Sequence, residues 1–226
     1  MTVNAVKPPP VPPAPSAAPR PAGRPVRSAA RLALLHLRSR RAPAAVLGLA
    51  VCAGALRAVV HWQLTSGGGL TQQTPMILEA AAAVLIAVTT HGPLGEAERA
   101  AGRWLPRLRL GSALALTGAA IGLLQLGVAG ASLNGGILAL ARNVIGLAGI
   151  GLLASPLTGG LLAWIIQLGY LAFAEYALNQ AWRNPWTWPA RPPTDRGAWV
   201  CAALVFAAGL LAFTVRGART RLGDDG

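Results

Sequence analysis

The chain of 226 residues is 54% hydrophobic and only 12% charged, whereas soluble domains carry about 25% charged residues. That deficit excludes an ordinary soluble domain for most of the chain. The formal net charge of +13 would suit a nucleic-acid partner, but the basic residues cluster before Pro43, within residues 91–110 and after Val215. Such clusters beside apolar blocks indicate membrane topology, so we expect a lipid bilayer and no nucleic acid.

The first 42 residues divide into two parts. Residues 1–26 hold nine prolines, which predicts an extended, disordered cytoplasmic tail without a core. Residues 27–42 read RSAARLALLHLRSRRA and place Arg27, Arg31 and Arg38 on one helical face. This pattern predicts an amphipathic connecting helix on the membrane surface; a basic flank that only sets orientation is the equal alternative.

Apolar blocks fill most of the remaining chain, each long enough to cross ~30 Å of hydrocarbon as a helix. The blocks cover 44–64, 76–94, 110–130, 137–155, 161–180 and 199–215. Ser155-Pro156 and Gly159-Gly160 break a run that is too long for a single crossing. We therefore predict an all-α integral membrane protein, with six transmembrane helices over 43–216 and a short cytoplasmic tail over 217–226.

The arginines predict the orientation of these six helices. Fifteen basic residues fall on the side of the two termini and three on the other side. Because cytoplasmic flanks are enriched in basic residues, we expect both termini in the cytoplasm of a multi-pass cell-membrane protein.

The arginine-, alanine- and proline-rich composition suggests a bacterial source. Cys52 and Cys201 lie in apolar blocks, which predicts free thiols and no metal site.

The loop between the second and third blocks reads HGPLGEAERAAGRWLPRLRL over residues 91–110. Gly92-Pro93 ends the preceding helix, and Glu96 and Glu98 then suit the first turn of a new helix, where negative charge complements the helix dipole. Pro106 is expected to end this short helix. A charged cytoplasmic helix held between two membrane spans is well placed to receive motion from a soluble partner.

This arrangement resembles the membrane subunits of ABC-2 type ABC transporters. The shared features are six spans, a basic segment before the first, a helix between the second and third, and a structured outer segment between the fifth and sixth. The local run that is similar to the family's coupling helix consists of Glu96, Glu98, Arg99, Gly102, Leu105 and Pro106.

The resemblance implies a permease subunit, in which a coupling helix docks on a separate ABC ATPase. The coupling residues would be Glu96, Glu98, Arg99, Gly102 and Arg103. The resemblance further implies a homodimer or a heterodimer with a related permease, and export of a substrate. The chain contains no G-x-x-x-x-G-K-[ST], so we expect ATP on the partner subunit and no cofactor here.

Four ionisable residues fall inside the predicted spans, namely Arg57, Glu79, Arg142 and Glu175. Because an intramembrane charge is costly, we expect Arg57 to pair with Glu79 and Arg142 with Glu175; ion pairing and a substrate path both stay open as their role. Gly118 and Gly122 fit G-x-x-x-G, which predicts close helix packing within the subunit.

Tryptophans mark the last outer segment, at Trp182, Trp186, Trp188 and Trp199. An aromatic belt at the headgroup level is the ordinary interpretation, and a re-entrant or ligand-binding segment is the alternative.

Two other classes of function compete with the permease. An intramembrane enzyme is disfavoured because neither a His-Glu-x-x-His sequence nor a nucleophilic serine in a Gly-x-Ser-x-Gly setting occurs. A non-transporting membrane scaffold or immunity protein would need the same spans and stays open as the alternative.

Overall fold

A computed structural model describes residues 42–66, 73–89, 105–130, 136–159, 162–182 and 184–216. Within these residues the chain forms helices and no strand. The predicted tail over 1–26, the connecting helix up to residue 41, the coupling helix and the tail over 217–226 lie outside the described residues. The α-helices are α1 (Ala42–Ser66), α2 (Gln73–Thr89), α3 (Leu105–Gly127), α4 (Gly136–Thr158), α5 (Ala163–Asn179) and α6 (Arg196–Arg216).

Helix length and composition suit a bilayer. Four helices are long and apolar enough to cross a membrane, over Pro43–Trp62, Leu105–Gly127, Gly136–Thr158 and Arg196–Arg216. A helix of 23 residues, such as α4, spans about 35 Å, which exceeds the hydrocarbon thickness. The helix of α2 is apolar but shorter, over Thr74–Thr89. The structure thus confirms an all-helical chain with membrane-length helices in its described part.

Two prolines lie inside helices rather than between them. Pro106, which is expected to end the coupling helix, lies in the first turn of α3, where its missing N–H costs nothing; the coupling helix itself lies outside the described residues. Pro156 lies in the last turn of α4 and leaves the carbonyl of Leu152 without its helical donor. Ser155 Oγ donates to that carbonyl at 3.0 Å. The break between α4 and α5 therefore comes at Gly159, whose φ of +84° suits glycine.

The bundle is built around α4, which packs against α2, α3, α5 and α6. Its most extensive contact is with α6, and small residues permit it. A Cβ added to Gly149 would lie 2.6 Å from the Cα of Phe206 on α6, so only hydrogen fits there. Close approach of this kind increases the van der Waals packing that contributes to helix association in lipid.

One end of the bundle carries an ordered connection between α5 and α6, which we call the cap (Asn184–Asp195). The cap contains one turn of 3-10 helix over Trp188–Ala190. Helices α2, α4 and α6 begin toward this end, and α1, α3 and α5 finish toward it, as the contacts between residues near these helix ends indicate. The polar residues described next lie at or just below this end.

Candidate functional site

Arg142 joins the cap to the centre of the bundle. It lies in the second turn of α4 and its side chain is fully buried. Its Nη1 donates to the carbonyl of Pro192 at 2.7 Å and its Nη2 to that of Arg191 at 2.9 Å. Hydrogen bonds from a charged donor are stronger than neutral ones. The guanidinium therefore fastens the irregular loop to the central helix.

Trp188 is the second anchor of the cap. The indole is 2% exposed and stacks on Tyr170 of α5 with ring centroids 4.6 Å apart. Gly146 of α4 makes room for it, because a Cβ at that position would lie 2.5 Å from Trp188 Cε2. Tyr170 in turn donates its hydroxyl to the carbonyl of Trp186 at 2.8 Å. The cap is thus held by α4 and α5 together.

Asp195 ends the cap and begins α6. Its Oδ1 accepts the backbone N–H of Ala198 at 2.9 Å, which is the N-cap hydrogen bond that a helix start requires. Its Oδ2 accepts a hydrogen bond from Arg191, four residues earlier. The Ala198 N–H and then the Arg191 guanidinium lower the pKa of the Asp195 carboxyl below its ordinary value. The Trp199 indole closes the turn by donating to the carbonyl of Pro193 at 2.9 Å.

A carboxyl group is buried between α2 and α4, next to Arg142 and deeper in the bundle than the cap. Glu79 of α2 is 3% exposed and Asn143 of α4 is 4% exposed. Asn143 Nδ2 donates to Glu79 Oε2 at 2.8 Å. A second buried amide lies between α4 and α5, where Gln167 Nε2 donates to the carbonyl of Leu147 at 2.9 Å. Together with Arg142 these side chains make a polar interior in an otherwise apolar bundle.

We find no family model, curated protein or solved structure that matches this chain.

The expected ion pairs within the membrane are not formed. Arg57 does not pair with Glu79: its Nη1 donates to the carbonyl of Ala129, just beyond the end of α3. Backbone carbonyls at a helix C-terminus lack helical donors and attract cations. Arg142 does not pair with Glu175, because the cap supplies its acceptors. Both carboxylate oxygens of Glu175 are buried without a hydrogen-bond partner among the described residues.

The four predicted tryptophans divide into two kinds. Trp188 is buried within the cap, and Trp199 of α6 is half-buried and donates its indole N–H to the cap, so both help to hold the cap in place. Trp182 and Trp186 are exposed and form an aromatic cluster around Phe173, whose ring stacks on Trp186 at a centroid distance of 5.1 Å. Exposed aromatic rings at one end of a membrane bundle suit the headgroup region.

Several residues of this region were missed by the sequence analysis. Asn143, Tyr170 and Asp195 supply hydrogen bonds that hold Glu79, the cap and the start of α6. A signal existed for Asn143, since it follows Arg142 directly within an apolar helix. No signal in one sequence pairs Tyr170 with Trp188. Among the described residues, no group of His, Cys, Asp and Glu is arranged to hold a metal ion.

Proposed function

We propose that the protein is the permease subunit of an ABC transporter of the ABC-2 type, and that it exports its substrate across the cell membrane. In this proposal six transmembrane helices with cytoplasmic termini form one half of the pathway. A second copy or a related permease supplies the other half. A separate ATPase binds and hydrolyses ATP, and the predicted helix of Glu96, Glu98, Arg99, Gly102 and Arg103 receives its motion.

The observation that carries the proposal is the ordered cap between the fifth and sixth helices of a six-helix bundle. A structured outer segment at that place in the chain is one of the features on which the resemblance rests. Arg142 and Trp188 bind it firmly to α4 and α5. A free loop of the same length would need no buried arginine, whose burial in lipid is costly.

The alternative, a non-transporting scaffold, requires no ATPase partner, and the test below separates the two classes.

The first experiment asks whether an ATPase accompanies the chain. The full-length protein is purified from its native membrane in mild detergent, and the bound proteins are identified by mass spectrometry. We expect a partner that contains G-x-x-x-x-G-K-[ST] and ATP hydrolysis that purifies with it. Glu96→Lys with Glu98→Lys is expected to remove the partner and the hydrolysis while the protein stays in the membrane.

A matched control is available in the C-terminal tail. Asp224→Lys with Asp225→Lys makes the same charge change on the side predicted to be cytoplasmic, and it is expected to leave the partner bound. Equal behaviour of the two double variants would refute the coupling role of residues 96–103.

Two further outcomes concern the partner and the orientation. If the protein stays in the membrane but no preparation contains an ATP-binding partner, the result would favour the non-transporting scaffold. Labelling of a cysteine at position 98 from outside intact cells would overturn the orientation.

A further inference from the structure

The Glu79–Asn143 pair is an enclosed polar contact with one acceptor left over. Glu79 Oε2 accepts a hydrogen bond from Asn143 Nδ2 at 2.8 Å, whereas Asn143 Oδ1 is buried and has no donor among the residues that the structure describes. No arginine, lysine or histidine of the described residues forms an ion pair with Glu79. A buried acceptor without a donor costs the full desolvation of that group, so the contact is incomplete as long as the carboxyl is ionised.

One proton would complete this contact. If a proton binds the carboxylate, an O–H bond forms on Glu79 and no electron is transferred. The acid can then donate to Asn143 Oδ1 while it still accepts from Nδ2. A carboxylic acid and a primary amide pair in this reciprocal way because each offers one donor and one acceptor. The leftover acceptor of Asn143 is the observation that points to the ligand.

We propose that Glu79 and Asn143 form a proton-binding site between α2 and α4, in which a bound proton joins the two helices through a reciprocal acid–amide pair. Release of the proton leaves a charge between two apolar helix faces, where Met76, Ala80 and Leu147 pack. An unpaired charge there is strongly unfavourable, so water must enter or the helices must separate. The site would make the α2–α4 contact sensitive to pH.

The groups around Glu79 act in opposite directions. Enclosure favours the neutral acid, whereas the positive charge of Arg142, next to Asn143 on α4, favours the carboxylate. Arg142 already has two carbonyl acceptors in the cap and interacts electrostatically with Asp195 as well. Other titratable or charged side chains on the helices packed against α2 are Cys52, Arg57 and His61 on α1, Arg107 and Arg109 on α3, and Tyr170, Glu175 and Tyr176 on α5. Arg57 and Tyr170 are bonded to backbone carbonyls elsewhere.

Infrared difference spectroscopy of the full-length protein in lipid tests the site directly. We expect the C=O stretching band of a protonated carboxylic acid at neutral pH, shifted in D₂O and lost as the pH is raised. The band should be absent in Glu79→Gln and present in Glu175→Gln, which removes the other membrane carboxyl. Asn143→Leu should shift the band because its hydrogen-bond partner is gone. Neutral-pH spectra of the wild type and Glu79→Gln that do not differ in this region would overturn the proposal.

Thermal stability gives a second, independent readout. If the folded site holds a proton that the unfolded chain releases, wild-type stability should fall as the pH rises through deprotonation. Glu79→Gln keeps both hydrogen bonds and should have a melting temperature that does not change over that range. If Glu79→Gln lowers the melting temperature, and the double variant with Arg142→Gln loses clearly less stability than the sum of the two single losses, Glu79 is instead a counter-ion and the proton site is refuted. If the Glu79→Gln variant does not insert into the membrane, the carboxylic-acid C=O band of Asn143→Leu decides between the outcomes: a shifted band supports the proton site and an unshifted band refutes it. The inference does not depend on an ATPase partner, and its failure would leave the proposed function untouched.

Discussion

The α4–α6 contact offers a sharp test of the packing, through the substitution Gly149→Ala. The new methyl carbon would lie 2.6 Å from both the Cα and the backbone N of Phe206. Carbon atoms pack best at about 3.5–4.0 Å, so the two helix backbones would have to separate by about 1 Å. Because backbone atoms cannot rotate away, the whole of α6 must shift.

The cost can be worked from two opposing effects. Overpacking of this kind costs about 1–3 kcal/mol, while alanine in place of glycine gains up to about 1 kcal/mol in helix propensity. We expect a net loss of about 1–2 kcal/mol. Gly118→Ala in α3 is the matched control, because a Cβ there meets no atom of the described residues within 4 Å. That variant keeps only the propensity gain and should be as stable as the wild type or slightly more stable.

Equilibrium unfolding in mixed detergent micelles measures both variants under the same conditions. The unfolding midpoint of Gly149→Ala should fall below that of the wild type, and the midpoint of Gly118→Ala should not. Indistinguishable midpoints for the two alanine variants would refute the close approach of α4 and α6. The expectation that Gly118 and Gly122 pack inside the subunit is corrected by the same geometry, since in the part of the chain that the structure describes no atom lies within 4 Å of a Cβ added at either position.

Three further predictions concern the charged side chains. Arg142→Leu leaves two cap carbonyls without a donor and should cost about 2 kcal/mol or more, with faster hydrogen exchange over residues 184–195 than in the wild type. Asp195→Asn should lower the melting temperature at neutral pH. Because the folded pKa of Asp195 is depressed, the stability that its carboxylate contributes is present above the unfolded pKa of about 4 and is lost as the pH falls through the folded value. The melting temperatures of the wild type and Asp195→Asn should therefore converge in acid. A difference that stays constant with pH would contradict the hydrogen-bond cause. Arg57→Leu and Glu79→Gln should be additive within about 0.5 kcal/mol in a double-mutant cycle, since the structure gives them separate partners.

The apolar blocks predicted the helices well, because a helix is the structure that satisfies its own backbone in lipid. Every block coincides with a helix of the structure, although several ends differ by a few residues. Pro156 shows why the ends differ: a serine hydroxyl replaces the donor that the proline removes, and the helix continues for two more residues. The rule that proline ends a helix takes no account of the adjacent Ser155, whose hydroxyl supplies the missing hydrogen bond.

The partners of the charges were not predictable in the same way. The sequence places Arg57, Glu79, Arg142 and Glu175 in apolar helices, and charge alone suggested pairing between acids and bases. In the structure Arg57 and Arg142 donate to backbone carbonyls instead, and Glu79 accepts from the side-chain amide of Asn143. A carbonyl at the end of a helix or in a loop carries no sequence signature, so its availability to an arginine becomes visible only when the helices are packed.

The amino-acid sequence by itself indicated that the helices suit a lipid bilayer, and it determined the secondary structure of this protein. The reason is that the length and apolarity of a segment decide whether it can lie in a bilayer as a helix. Tertiary structure alone decided which faces meet, where glycine is indispensable and which groups share hydrogen bonds. Those features depend on distances between residues far apart in the chain, such as the 50 positions between Arg142 and Pro192. Periodicity and composition carry no information about such distances.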